Sequence, residues 1–129
     1  MPSIFTKIIS GEIPSYKIDE DEHCYAFLDI NPNAVGHTLC VPKQEVDNLF
    51  DIDQETYIHL MQFSKRIACA LEQAVPCKRV AMAVVGLEVP HAHVHLIPIH
   101  HMTDISFQTK VKMQEEDFKS IANKIRSKI

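Results

Sequence analysis

Apolar positions recur along this chain with two periods. Ile4, Phe5, Ile8 and Ile9 follow Ser3 at helical spacing, and Gly11 and Pro14 close the segment. Serine caps helix N-termini, so the pattern predicts a short amphipathic helix over 3–9, followed by an edge strand over 15–20. Tyr25 to Ile30 reads as a strand that the turn Asn31-Pro32-Asn33 ends, and His37 to Val41 as another, stopped by Pro42. Asp51, Asp53 and Glu55 put acid at a helix start. Behind them Tyr57, Leu60, Met61, Ser64, Ile67, Ala68 and Leu71 keep helical spacing, which predicts a long helix over 54–74 that ends before Pro76. Arg79 to Val85 reads as a buried strand and Ala92 to Ile97 as a strand between Pro90 and Pro98. Phe118, Ile121, Ala122 and Ile125 mark a C-terminal amphipathic helix. Strands separated by one long helix predict an α+β domain with a mostly antiparallel sheet.

Composition narrows the function. The chain has 129 residues, 46% hydrophobic and 23% charged, which predicts a single globular domain over 1–129 with a core that needs no disulfide. The net charge of −4 argues against a nucleic-acid binder, which presents a basic face. No apolar run reaches the length of a membrane span and Met1-Pro2-Ser3 opens no signal peptide, so a cytoplasmic protein is expected. Cys24, Cys40, Cys69 and Cys77 form no Cys-x-x-Cys pair; they read as reduced, buried small hydrophobes, and their spacing excludes a zinc ribbon. The three glycines, Gly11, Gly36 and Gly86, are too far apart for a glycine-rich dinucleotide turn or a phosphate-binding P-loop, and no nucleophile-elbow serine is present. Phosphate would have to be held by side chains and backbone amides of strands or helices.

Histidine is the outlier, with eight residues. Three of them stand in Pro90-His91-Ala92-His93-Val94-His95-Leu96-Ile97-Pro98. On a strand this spacing sets His91, His93 and His95 in one row and packs Ala92, Val94 and Leu96 behind them. Three readings fit: histidines satisfied within the core, a metal site, or nucleophilic catalysis. A catalytic metal site wants a third ligand, commonly a carboxylate, and no acid follows His95 before Asp104. A neutral imidazole is a competent nucleophile toward phosphorus, and neighbouring imidazoles can orient it and hold phosphate oxygens.

The chain resembles the histidine triad (HIT) family of nucleotide hydrolases and transferases. Its signature alternates three histidines with apolar residues, and His91-Ala92-His93-Val94-His95-Leu96-Ile97 fits at every position. Residues 4–14 (Ile4-Phe5-Thr6-Lys7-Ile8-Ile9-Ser10-Gly11-Glu12-Ile13-Pro14) resemble the family's N-terminal block. Ala26-Phe27-Leu28-Asp29-Ile30 and Gly36-His37-Thr38-Leu39-Cys40-Val41-Pro42-Lys43 are similar to its nucleotide-binding strands.

The resemblance implies a five-stranded, mostly antiparallel sheet with one long and one C-terminal helix, in a homodimer that extends the sheet. It implies that His93 attacks the α-phosphorus of a nucleoside phosphoramidate or related nucleotidyl conjugate and that the resulting nucleotidyl-histidine releases a nucleoside monophosphate. His91 and His95 would orient the nucleophile and contact phosphate, with His37 as a fourth histidine beside the triad. Asp29 would take the ribose hydroxyls, and Ile4, Phe5, Ile8, Phe27 and Ile30 would clamp a purine base; read from the residues alone, those five are equally ordinary core. The same pattern allows a dinucleoside polyphosphate hydrolase or a non-enzymatic nucleotide-binding scaffold. Many bacterial members begin Cys-x-x-Cys and hold a structural zinc with two histidines. Ser3 and Thr6 stand at those cysteines and Glu45 at one histidine, so no metal and no cofactor are expected. Many members also carry a Gly-Gln-Ser/Thr group before the triad, where this chain has Gly86-Leu87-Glu88-Val89-Pro90, which leaves the leaving group loosely specified. His23, His59, His100 and His101 match no motif and read as surface or structural residues.

Overall fold

The computed structural model describes residues 2–129. Ser3 caps the first helix, α1 (Ile4–Ile9), its Oγ accepting from the Thr6 N–H. Strands β1 (Lys17–Glu20), β2 (Cys24–Leu28) and β3 (Thr38–Pro42) follow. Helix α2 (Gln54–Ala74) starts at Asp53, whose carboxylate accepts from the Thr56 N–H. Strands β4 (Arg79–Ala83) and β5 (Val94–Ile99) complete the sheet, and α3 (Glu115–Arg126) ends the chain. The five strands pair antiparallel in the order β1-β2-β3-β5-β4.

Two-residue alternation divides the sheet between two cores. Cys24, Ala26, Leu28, Cys40, Val94 and Leu96 face one side, where Leu60, Phe63, Ile67 and Leu71 of α2 and Phe118, Ala122 and Ile125 of α3 cover them. Burial of each large side chain there contributes about 1.5–3 kcal/mol. Tyr25, Phe27, Leu39 and Val41 face the other side and pack on Phe5 and Ile8 of α1. The small helix therefore covers part of the second face and leaves the rest of it open beside β5.

Several boundaries differ from the sequence expectation. Pro42 does not stop its strand but closes it, and Pro98 lies inside β5 opposite Val80. Proline is tolerated there because β5 pairs with β3 only over Val94 to Leu96, so the Pro98 nitrogen faces no donor position in a ladder. Regular pairing starts at Val94, so His91 and His93 precede the strand; Ala92 N–H nevertheless donates to Val46 O at 2.7 Å and keeps the approach extended. The segment read as a buried strand, Arg79 to Val85, is the sheet's edge instead: β4 has β5 as its one neighbour, and Met82, Val84 and Val85 are 48%, 37% and 52% exposed. Of the cysteines expected in the core, Cys24 and Cys40 are buried, whereas Cys69 lies on the solvent side of α2 and Cys77 is half-buried; all four are free thiols.

Gly36 sets the turn that delivers His37. Its φ of +94° lies in the left-handed region, and a Cβ there would approach Val75 Cγ2 to 3.0 Å and Leu71 Cδ1 to 3.1 Å. Gly36→Ala is expected to lower unfolding free energy by about 1–3 kcal/mol, read as a fall in the urea midpoint. An unchanged midpoint would mean that the turn is not held against α2.

Candidate active site

His91, His93 and His95 come from the extended run into β5, and their alternation with Ala92, Val94 and Leu96 turns all three away from the α2 core. All three are buried, as is His37 at the head of β3. Leu39 of β3 lies opposite His95 of β5, which brings the start of β3 beside the histidine row.

Backbone groups fix the tautomers of His37, His93 and His91, because an N–H can only donate and a carbonyl can only accept, and His37 in turn fixes that of His95. Asn33 N–H donates to His37 Nδ1 at 3.0 Å, so the hydrogen of neutral His37 sits on Nε2. That Nε2–H reaches His95 Nδ1 at 2.9 Å, so the hydrogen of neutral His95 is on its own Nε2. His93 Nδ1–H donates to the His91 carbonyl at 2.8 Å, which leaves the lone pair of the neutral ring on Nε2. His91 Nε2–H donates to Pro42 O at 2.7 Å, and its Nδ1 accepts from Ser3 Oγ–H at 2.7 Å. Among the described residues, Nε2 of His93 and Nε2 of His95 have no hydrogen-bond partner. Neither is sealed from solvent, since among the described residues only Ser64 Oγ is both enclosed and unpartnered.

Both residues line a cleft of about 300 Å³, with Asp29 and Asn31 after β2, Val85 to Glu88 after β4, and Phe107 and Lys110 from the segment before α3. That volume is at the lower end of small-molecule sites. Burial dominates the electrostatics. It lowers His37 to about 3 and His95 to about 4, and it also lowers His91, so these three rings are neutral near pH 7. The 3.6 Å approach of His37 Nε2 to Asp29 Oδ2 is therefore a polar contact and not an ion pair. Burial also raises the Asp29 carboxyl, against the opposing bond its Oδ1 accepts from Asn31 N–H at 2.8 Å. Asp29 thus shapes the turn and faces the cleft at once.

The expected base clamp divides. Phe5 stands edge-on to His93 at 4.9 Å and to Phe27 at 5.5 Å, and with Ile8 these belong to the second core. Ile4 is half-exposed, and Ile30 lines a different groove, with Tyr16 and α3 residues. The outlying histidines are structural or at the surface: His23 stacks on His59 at 4.1 Å, and His100 and His101 are exposed.

Two groups of residues bear on metal. Ser3, Thr6, Glu45 and His91 do converge, but as a hydrogen-bonded cluster of hydroxyls and one carboxylate around an imidazole, a donor set without the thiolates or second imidazole of a structural zinc site. Asp29, His37 and His95 bring three ligand atoms within 4.8 Å of one another. There the His37 Nε2–H already occupies the His95 Nδ1 lone pair that a metal would need.

The sequence reading overlooked Phe107, Lys110 and Asn33. Phe107 packs edge-on to His95 at 4.7 Å. The Lys110 ammonium donates to Asn33 Oδ1 at 2.8 Å while Asn33 Nδ2–H donates to Asp104 O, which ties this segment to the turn before His37. Neither Phe107 nor Lys110 stands in a periodic run, and Asn33 carries a sequence signal only as part of the turn Asn31-Pro32-Asn33.

Residues 10–102 match the family model described as HIT domain. An uncharacterized HIT-like protein of Borreliella burgdorferi is 36% identical over 135 residues, covering 98% of this chain and 97% of that one. An adenosine 5'-monophosphoramidase of Saccharomyces cerevisiae is 43% identical over 96 residues, covering 74% of this chain and 61% of the yeast protein. Among solved structures, a Hit-like protein from Bartonella henselae superposes with a TM-score of 0.86 at 32% identity, over 98% of this chain and 96% of that one.

Proposed function

The chain belongs to the HIT domain family, and from that premise we propose that it is a nucleotide-binding hydrolase that cleaves nucleoside phosphoramidates or related nucleotidyl conjugates at the α-phosphorus. The observation that carries this reading is the hydrogen bond from His93 Nδ1–H to the His91 carbonyl, which directs an Nε2 lone pair to the open side of the ring. In the first step His93 Nε2 forms a bond to phosphorus and the bond from phosphorus to the leaving nitrogen breaks, the amine departing with a proton from solvent. In the second, water adds to phosphorus, the Nε2–P bond breaks, and the nucleoside monophosphate leaves while a proton returns to solvent. His95 Nε2–H donates to a phosphoryl oxygen throughout and stabilises the charge gathering there. The carboxylate of Asp29 retains lone pairs for a ribose cis-diol. The yeast relative, a phosphoramidase by name, favours this chemistry over dinucleoside polyphosphate hydrolysis. A non-enzymatic scaffold would have no use for a tautomer set in this way.

The deciding experiment offers a panel of nucleoside phosphoramidates and dinucleoside polyphosphates and measures release of nucleoside monophosphate. Turnover of the phosphoramidates supports the reading. Binding without turnover of any of them supports the scaffold.

A homodimer joined along β4 belongs to the same proposal. The two sheet edges differ: β1 carries Lys17, Asp19 and Glu20, charges that discourage pairing, whereas β4 offers Val80, Ala81, Met82 and Ala83 beside exposed Val84 and Val85. Sedimentation at micromolar concentration should give twice the chain mass, and a Met82→Lys variant should sediment as a monomer. A monomeric parent chain would refute the assembly.

A further inference from the structure

We propose that Ser3, Thr6 and Glu45 form a brace that positions His91 and, through the His91 carbonyl, aims the attacking nitrogen of His93. The inference rests on the reading of His93 as nucleophile. Its basis is a continuous run of hydrogen bonds. One Glu45 carboxylate oxygen accepts both from Ser3 N–H at 2.6 Å and from Thr6 Oγ1–H at 2.6 Å. Thr6 N–H donates to Ser3 Oγ at 3.0 Å, and because His91 Nε2–H donates to Pro42 O, His91 Nδ1 accepts the Ser3 hydroxyl hydrogen at 2.7 Å. The His91 ring, fully buried, is held at its other nitrogen by Pro42 O. Both faces of residue 91 are thereby engaged: its ring by the brace and by β3, its carbonyl by His93 Nδ1–H.

Backbone bonds also reach the start of this run, from His91 N–H to Val89 O at 2.8 Å and from Ala92 N–H to Val46 O at 2.7 Å, and neither one holds the His91 ring. The pairing of β5 begins only at Val94, so the ring of His91 is set by side chains reaching from α1 and from the loop after β3, together with Pro42 O. Phe5, one residue after the start of α1, also packs on both His91 and His93, at 5.8 and 4.9 Å. A shift of α1 is transmitted to the nucleophile directly. Glu45 is exposed, yet through two short bonds it determines where a buried imidazole sits.

The brace is a positioning device and touches neither substrate nor phosphorus. Loosening it should misplace His93 Nε2 without changing what binds the nucleoside. Misplacement of a reacting group by about 1 Å costs up to roughly a hundredfold in rate. Ser3→Ala and Glu45→Ala should each lower kcat for a phosphoramidate by about tenfold or more, with KM within about twofold of the parent. Glu45→Gln keeps an oxygen that accepts from both donors and should recover most of kcat. Phe118→Leu, in the α3 core on the opposite face, serves as a stability control and should leave kcat intact at a comparable fall in Tm.

The proposal is overturned if Glu45→Ala retains the parent kcat, if the loss falls on KM alone, or if kcat falls in Phe118→Leu as it does in the brace variants. Glu45 is at the surface, so its variants test the idea even if Ser3→Ala does not fold. His93→Ala is assayed in parallel: if it stays active, the nucleophile reading fails; if it is inactive while Glu45→Ala is unimpaired, the brace alone fails.

Discussion

His93→Ala is expected to lower turnover of a nucleoside phosphoramidate by at least ~10³-fold, about 4 kcal/mol of barrier. The reason is the loss of the only imidazole in the row whose free nitrogen carries a lone pair. His91 has both nitrogens engaged, and His95 presents an N–H. Alanine at 93 leaves no group to replace it. Nucleoside monophosphate should still bind, because Asp29 and the cleft wall formed by Phe107 and Lys110 are untouched. The replacement also removes a ring that Phe5 packs against, so binding and thermal unfolding are measured beside the rate. A variant that binds the product, unfolds normally and does not turn over identifies the loss as chemical. Near-parental turnover would make another group the nucleophile.

Acid is expected to destabilise the fold well before carboxylates titrate. His37 and His95 are held near 3 and 4 by burial, against about 6.5 in an unfolded chain. Between those values the unfolded state binds more protons than the folded one, so stability falls as pH drops from about 6.5 toward 4. Two rings displaced by this much amount to several kcal/mol, a large share of the roughly 5–15 kcal/mol that holds a small domain together. Asp29 acts in the opposite sense, since its carboxyl is raised and the folded state gains a proton there first. It concerns one proton, against the two that the histidines withhold. Urea midpoints at pH 7.5, 6 and 5 should therefore decline steadily. His37→Gln, whose amide can accept from Asn33 N–H and donate to His95, should show a shallower decline. Equal midpoints from pH 7.5 to 5 would mean that these imidazoles charge freely in the folded protein.

Much of the fold was legible because it rests on periodicity and on local chemistry. The limits of α2 follow from Asp53 at its cap and the break before Pro76, and the row His91, His93, His95 follows from two-residue alternation. Strand ends were less legible. Pro42 and Pro98 look like stops, yet each sits where its missing N–H is not needed by a neighbour, and that depends on which strands pair. The edge position of β4 is equally non-local: an apolar run is consistent with burial by the sheet or by another copy, and only strand order separates these. In the site, His91, His93 and His95 were marked by their alternation, whereas His37 and Asp29 were marked only through the resemblance to the family. Phe107, Lys110 and Asn33 join them through bonds across more than seventy residues in the case of Asn33 and Lys110, a relation no local pattern records. Ser3, Thr6 and Glu45 were read from sequence as the loss of a metal site, while their shared hydrogen bonds emerge only from the folded arrangement.

Attack by His93 leaves a covalent bond between its Nε2 and the α-phosphorus of the substrate in each turnover. The most direct measurement is mass spectrometry of the protein quenched in alkali during turnover of a nucleoside phosphoramidate, followed by peptide mapping. A transient adduct of one nucleotidyl group on His93 is expected, which disappears as nucleoside monophosphate accumulates and is absent from His93→Ala. An adduct on His91 or His95, or rapid product formation with none on any histidine, would contradict attack by His93.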